Sequence, residues 1–451
     1  MLKKMARRIR IYLEGLDYLF AGCSARHPVG YAALRRERGL EPFRHVWWTQ
    51  YTLEGYRTIR RAVSLLDWAL AQPASTATGS EVLPHGGRLL IVRLGHLGDL
   101  LHLLPTVQEI RKQRPDVRLE LVTGPWNRGL LEHSIFDAVH EYTPDLVQYH
   151  RGDRRGVRSP AEERDFIQSL SRERVDVVFC PSAPHLADLP LIIGLRPARY
   201  VGGDWKGLSV PVSFSRLTRP HDSRRYELDA VADYLPLMGL VRPEALSLKY
   251  VPAAASRQKV QSWCEEHKLQ PGRLVVMAPG SGWPGKCWPA ERFAQLADWL
   301  VGRYGVQVVL TGSPAERGLC ELVRGHMRAQ AGAAAGVFSI DESAALIERA
   351  ALLVGNDSAP VHLAAAMNRP TISLWGPTFP EAWAPHGEAH RVVRSEQVCD
   401  GCTYWHPSAI CTGRPPCMTT LSLAAVQAAL ETSPCSAGWV EAATKAPGNP
   451  S

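Results

Sequence analysis

Short apolar runs and amphipathic stretches alternate along most of this chain. Arg88 to Val92 is a strand-like run, and Leu100 to Arg114 follows it with leucines, Val107 and Ile110 at helical spacing. Val117 to Val122 and Val175 to Cys180 are further strand-like runs. A Pro-marked connection around Val251 to Ala254 opens a second series. Its strands are expected at Leu274 to Ala278, Val306 to Leu310, Gly336 to Ser339, Leu352 to Val354 and Thr371 to Leu374. Helices are expected at Ala290 to Tyr304, Ser343 to Ala350, Val361 to Asn368 and, last, Leu421 to Leu430. Alternation of this kind predicts parallel sheets flanked by helices, an α/β chain.

Two segments break the pattern in the same way. Gly98-Asp99 and Gly355-Asn356-Asp357-Ser358-Ala359-Pro360-Val361-His362 each stand between an apolar run and a helix. Open α/β sheets bind ligands where strand carboxyl ends meet helix N-termini. Two such units, roughly 250 residues apart, predict two nucleotide-fold domains facing one another across a cleft.

The 451 residues are too many for one ordinary domain. Residues 1–87 read as a helical N-terminal extension ending in a linker rich in Ala, Ser, Thr, Pro and Gly. Residues 88–250 and 251–432 read as the two domains and 433–451 as a flexible tail. A hydrophobic content of 45% against 21% charged residues is that of a globular protein. The net charge of +8 favours acidic partners. Nucleic acid is set aside, because no recognition module accompanies the charge.

No run of 18 or more apolar residues occurs. Lys3, Lys4, Arg7, Arg8 and Arg10 precede Ile11 to Phe20, but Glu14 and Asp17 interrupt that stretch and argue against an export signal. A cytoplasmic protein is therefore expected. Its basic first helix suits either peripheral contact with the inner face of a membrane or packing on the next domain.

Of ten cysteines, Cys399, Cys402, Cys411 and Cys417 fall within nineteen residues as C-x2-C-x8-C-x5-C. In a reducing compartment such a cluster reads as a structural zinc or iron site, closed to catalysis by its four thiolates. Free thiols or disulfides are the other readings.

The remaining candidates are single side chains. Asp99 at the mouth of the first turn suits a general base, or simply the cap of a helix starting at Leu100. Pro279-Gly280-Ser281-Gly282 presents backbone N–H groups to a phosphate, with Lys286 just beyond. Ser358 is a phosphate-binding hydroxyl or a cap, and His362 a site residue or a core histidine.

In order and context these blocks resemble glycosyltransferase family 9, the bacterial ADP-heptose heptosyltransferases, from about Arg88 to Leu430. Ile91 through Pro105 looks like that family's opening strand, Gly-Asp turn and helix, and implies that Gly98 lines the site and Asp99 is the catalytic base. Lys286-Cys287-Trp288-Pro289 is similar to its Lys-x-Trp-Pro, implying a catalytic, diphosphate-binding Lys286 beside Ser281 and Gly282. Gly312 and Glu316 resemble the loop near the ribose and base. Gly355 through His362 is the most specific match and implies that Asp357, Ser358, Ala359 and His362 line the donor pocket.

The resemblance implies a GT-B architecture of two Rossmann-like domains and an inverting glycosyltransferase that needs no catalytic metal. It favours ADP-heptose among nucleotide-diphosphate sugar donors, and a lipopolysaccharide-type glycan or a protein as acceptor. The protein acceptor enters because the cysteine cluster resembles a subset of the family, autotransporter heptosyltransferases with cysteine-bound iron. Where familiar heptosyltransferases carry Thr-Thr and Asp-Thr-Gly, this chain has Ser281-Gly282 and Asp357-Ser358-Ala359. An inactive nucleotide-sugar-binding scaffold and a GT-B epimerase or hydrolase remain as alternatives.

Overall fold

The computed structural model describes residues 64–66, 68, 69, 71, 81–131, 135–143, 158–182, 188–203, 215–219, 225–282, 284–395, 416–435 and 439. They form two six-stranded parallel sheets, each at the heart of a Rossmann-like lobe. The first runs β3-β2-β1-β4-β5-β6, from β1 (Arg88–Arg93), β2 (Arg118–Thr123), β3 (Ala138–Glu141), β4 (Val177–Cys180), β5 (Arg199–Gly203) and β6 (Ser215–Arg219). The second runs β12-β11-β10-β7-β8-β9. Its strands are β7 (Leu274–Ala278), β8 (Gln307–Leu310), β9 (Ala331–Ala333), β10 (Leu352–Asn356), β11 (Thr371–Trp375) and β12 (His390–Arg394). The two orders have the same form, and each reverses direction beside its first strand, at β1/β4 and β7/β10. Crevices for ligands open at such reversals, outside the carboxyl ends of the strands.

In the N-terminal lobe the helices are α1 (Leu97–Gln113), α2 (Pro160–Leu170), α3 (Leu189–Gly194) and α4 (Glu227–Ala232). The C-terminal lobe carries α5 (Ala254–Glu266), α6 (Ala290–Tyr304), α7 (Arg317–His326), α8 (Ile340–Arg349) and α9 (Ala359–Ala366). It ends in α10 (Pro380–Trp383), α11 (Pro416–Thr419) and α12 (Leu423–Glu431). Every residue of β1, β7, β10 and β11 is buried, which is why these strands read as continuous apolar runs. Residues 64–66 and 68–69 of the extension are helical, and Leu65, Leu66 and Ala69 are buried. The Trp68 ring lies close over Gly194 of α3. Between the lobes the connection is tied down by Asp341 at the start of α8, which accepts from Tyr250 Oη at 2.6 Å and from the Ala253 N–H at 3.0 Å.

Three expectations change. Gly336 to Ser339 is a turn, with Gly336 at φ +68°, and the edge strand is Ala331–Ala333 instead. Phe338 within it is buried against Trp263, a contact that a turn makes as well as a strand. Helix α1 begins at Leu97, one turn before Leu100, because the chain turns tightly at Gly95-His96.

The third correction concerns metal. Among the described residues no three His, Cys, Asp or Glu gather into a metal-binding group. That overturns the structural zinc or iron expected of Cys399, Cys402, Cys411 and Cys417. Cys417 is 3% exposed on α11, packed in the C-terminal core against Gly376 beside Met418, where a small apolar side chain suffices. Cys399, Cys402 and Cys411 lie outside the described residues.

Candidate active site

The N-terminal half of the site is set by the end of β1. The chain turns through Leu94-Gly95-His96, and Asp99 becomes the third residue of α1. Its carboxylate folds back over the turn. Oδ2 accepts the His96 N–H at 2.7 Å, and Oδ1 accepts from Arg93 Nη2 at 3.1 Å. Only glycine fits at position 95, because a Cβ there would stand 2.5 Å from Asp99 Cγ. From β2's far end, Trp126 Nε1 donates to the Gly95 carbonyl at 2.7 Å and pins the turn. Asp99 therefore caps its helix and also faces outward, its side chain 24% exposed to the cleft. Burial pushes its pKa up, but Arg93, the His96 ring and the His96 amide together outweigh that and hold it below the ordinary carboxylate value. It is ionised at neutral pH, as a proton acceptor must be.

Arg93 also serves a second carboxylate. The same Nη2 donates to Oε1 of Glu227, the first residue of α4, at 2.7 Å. Glu227 is 3% exposed. Neither Arg93 nor Glu227 stood out as a site residue in the sequence. Arg93 is one polar residue closing a strand, and Glu227 lies far along the chain with no local signal tying it to Asp99.

The C-terminal half is built on β7 and β10. Asn356, fully buried at the end of β10, donates to the Pro279 carbonyl at 2.7 Å and accepts the Trp288 N–H at 3.0 Å. It thus clamps the Pro279–Gly282 loop to the strand on which the other half of the pocket depends. Asp357 Oδ2 accepts from Lys286 Nζ at 3.0 Å and from Thr378 Oγ1 at 2.7 Å, and Oδ1 lies 3.8 Å from His362 Nε2. Burial opposes its charge, yet Lys286 first and then His362 and Thr378 keep it well below the ordinary carboxylate range. Asn356 and Thr378 fall inside or beside recognisable blocks, but only the fold reveals their partners.

Ser281 Oγ donates to the Asp357 carbonyl at 3.4 Å, which draws the loop towards Lys286. Ser358 is the N-cap residue of α9, but its hydroxyl donates to the Asn356 carbonyl at 3.2 Å and no side chain caps the helix. In the first turn of α9 Pro360 carries no N–H and the Val361 N–H donates to the Ser358 carbonyl at 3.1 Å, so the N–H that faces outward without a side-chain cap is that of Ala359; an anion is the usual partner at such a helix start. Glu316 accepts the Ser313 N–H at 2.7 Å and lies over the loop glycines. A Cβ at Gly280 would overlap its carboxylate, and one at Gly312 would press on its Cβ at 3.1 Å.

The lobes meet along α1 and α9. A Cβ at Gly98 would lie 3.0 Å from His362 Cδ2, so the missing side chain is what lets the two helices close. The His102 ring stands edge-on to His362 with centroids 5.1 Å apart. His102 Nδ1 donates to the Gly98 carbonyl at 2.8 Å, and burial with His362 nearby pushes its pKa down to about 3, leaving a neutral ring. Across the opening, the His96 ring faces Gly282, 3.7 Å from where a Cβ would be. Asp99 and Gly98 on one side, and Ser281, Gly282, Lys286, Asp357, Ser358 and His362 on the other, therefore border one cleft. Gly312 and Glu316 lie farther out along the C-terminal wall. No helix among the described residues is long and apolar enough to cross a membrane.

The family model described as Glycosyltransferase family 9 (heptosyltransferase) matches residues 164–405. Lipopolysaccharide heptosyltransferase 3 of Escherichia coli is 36% identical over 302 residues, spanning 64% of this chain and 83% of that protein. Lipopolysaccharide heptosyltransferase 2 of Escherichia coli strain K12 is 26% identical over 322 residues, spanning 68% and 88%. Among solved structures, a family 9 glycosyl transferase from Veillonella parvula DSM 2008 superposes with a TM-score of 0.62 at 22% identity, covering 79% of this chain and 98% of that one. The Escherichia coli heptosyltransferase WaaC with ADP gives 0.56 at 20% identity, covering 76% and 99%.

Proposed function

The chain belongs to glycosyltransferase family 9, and on that premise we propose how its two lobes share one reaction. It is an inverting glycosyltransferase of GT-B architecture that moves heptose from ADP-heptose to a hydroxyl of a lipopolysaccharide-type glycan. We assign the donor to the C-terminal lobe, residues 251–432, and the acceptor to the N-terminal lobe, residues 88–250.

Asp99 takes the proton of the acceptor hydroxyl as that oxygen bonds to the anomeric carbon from the face opposite the leaving group. The bond from that carbon to the ADP oxygen breaks, and its electron pair leaves with ADP. Negative charge then builds on the diphosphate. Lys286, the Ser281–Gly282 loop and the N-terminus of α9 at Ser358 and Ala359 meet that charge as it develops. Asp357, with His362 behind it, orients Lys286 rather than touching the sugar. Gly312 and Glu316 border the nucleoside. The observation that carries this reading is the meeting of an ionised, outward-facing Asp99 with the Lys286–Asp357 niche across one cleft, where His362 packs on Gly98. A membrane-anchored glycan brings the enzyme to the cytoplasmic face of the inner membrane, which the basic residues Lys3 to Arg10 favour.

The test is transfer itself. With ADP-heptose and a heptose-deficient lipopolysaccharide core, heptosylated product and ADP should appear together. In thermal shift, ADP should stabilise the protein over UDP and GDP; a ligand at 100 times its Kd adds about 2.7 kcal/mol. A preference for UDP or GDP overturns the donor assignment. Release of ADP without acceptor points to a hydrolase or epimerase instead.

A further inference from the structure

The base of this proposed reaction sits beside a charge that works against it. An Asp next to an arginine ordinarily loses one to three pKa units, roughly, and base strength with them. Arg93 is 3% exposed, its bond to Asp99 is 3.1 Å, and its Nε is buried with no hydrogen-bond partner. Left alone with Asp99, this cation would make a poor base of it. Yet the shorter bond from the same nitrogen, 2.7 Å, goes to Glu227.

We propose that Glu227 is a positioning residue for catalysis, which divides the charge of Arg93 and so keeps Asp99 basic enough to deprotonate the acceptor. The inference rests on Asp99 being the base. Glu227 does not reach the cleft itself: it is 3% exposed where Asp99 is 24%, and acts through the guanidinium between them. Packing of α4 against α1 fixes this arrangement. The other titratable groups around the pair are His96 and His102 on the α1 side, Cys180 at the end of β4, and Tyr226 and Asp229 beside Glu227. His386 of the C-terminal lobe stacks on Tyr226.

The device responds to pH. Burial pushes the Glu227 carboxyl up to about 7, Arg93 pulling it back and Asp99 adding to the rise. Below that pH Glu227 takes a proton, Arg93 turns wholly to Asp99, and the base weakens while staying ionised. Above it Glu227 is charged and Asp99 is the stronger base. The kcat of transfer should therefore rise through about pH 7.

Glu227→Gln keeps the hydrogen bond to Arg93 and removes the charge. It should lower kcat roughly threefold to tenfold at pH 8 by Brønsted behaviour and flatten the profile between pH 6 and 8. The KM for ADP-heptose should stay unchanged. Glu227→Asp, which retains a carboxylate on a side chain one methylene shorter, should keep a pH dependence but with its inflection displaced from that of wild type. Melting curves of both variants check folding. If Glu227→Gln fails to fold, wild type and Glu227→Asp still decide: the proposal requires the inflection near pH 7 to move in the aspartate variant. A wild-type profile in either variant, or a change confined to KM, overturns it. Asp99→Asn is the control. If it is inactive while Glu227→Gln behaves as wild type, the Glu227 proposal alone fails; if it is active, the base assignment falls as well.

Discussion

The same local unit, a strand, a glycine-aspartate turn and a helix, is used twice in this enzyme, and both aspartates are held ionised but in different surroundings. At Asp99 two carboxylates compete for one guanidinium, and the aspartate stays partly open to the cleft. At Asp357 one carboxylate is surrounded by Lys286, Thr378 and His362 and is 6% exposed. Each accepts two hydrogen bonds, but Asp99 shares its cation with Glu227 and stays partly exposed, whereas Asp357 is buried against a lysine of its own. The difference lies in neighbours from distant parts of the chain, not in the turn.

Exchange of roles is the severest test of that contrast. Asp99→Asn should cut kcat by about 10² to 10⁴, the usual worth of a general base, while ADP binding by calorimetry stays nearly intact. Lys286→Ala should instead weaken ADP binding and lower kcat by about 10² to 10³, as loss of a leaving-group stabiliser does. Equal loss of binding and turnover in the Asp99 variant would erase the contrast.

Stability should separate the two aspartates next. Asp357→Asn takes its carboxylate partner from a buried Lys286, at a cost of up to roughly 3–5 kcal/mol, which melting curves would show as a drop of several degrees. Because the native Asp357 carboxyl titrates below its ordinary value of 3.8, its contribution is fully present above that pH and is lost as pH falls further. The variant should lack that part of the acid destabilisation. Asp99→Asn, at a site that is partly exposed, should melt close to wild type.

The smallest effects come from two glycines. Gly95→Ala drives a methyl into the Asp99 carboxylate and should cost about ten- to a hundredfold in kcat with donor KM preserved. Gly280→Ala displaces Glu316 instead and should raise the donor KM several-fold, about the worth of one charged hydrogen bond at most. If both variants alter the same kinetic constant, the two halves of the cleft do not divide the work as described.

Much of this was legible along the chain. Apolar runs such as Leu89 to Val92 and Leu352 to Val354 are buried on both faces, so nothing polar interrupts them, and they mark their strands plainly. Less legible were β3, where Ala138–Glu141 alternates at a sheet edge, and β9, an Ala-Gly-Ala edge strand with little apolar signal. At the turn after Gly336, Phe338 is buried by a tertiary contact with Trp263 that a turn makes as well as a strand. The cysteine spacing misled because Cys417 points into an apolar core, and spacing alone does not say where a side chain points.

Local sequence by itself determined the parallel sheets, their two-lobed repetition and the two Gly-Asp turns, because burial and turn geometry act over a few residues at a time. It also placed Asp99, Lys286, Ser281 and Ser358 at the right strand ends. Tertiary structure alone decided what surrounds each carboxylate. Arg93 and Glu227 converge on Asp99 from β1 and α4, and Lys286 and Thr378 converge on Asp357 from separate loops. A side chain's charge and basicity depend on groups within a few ångströms in space, and separation along the chain carries no information about which groups those are.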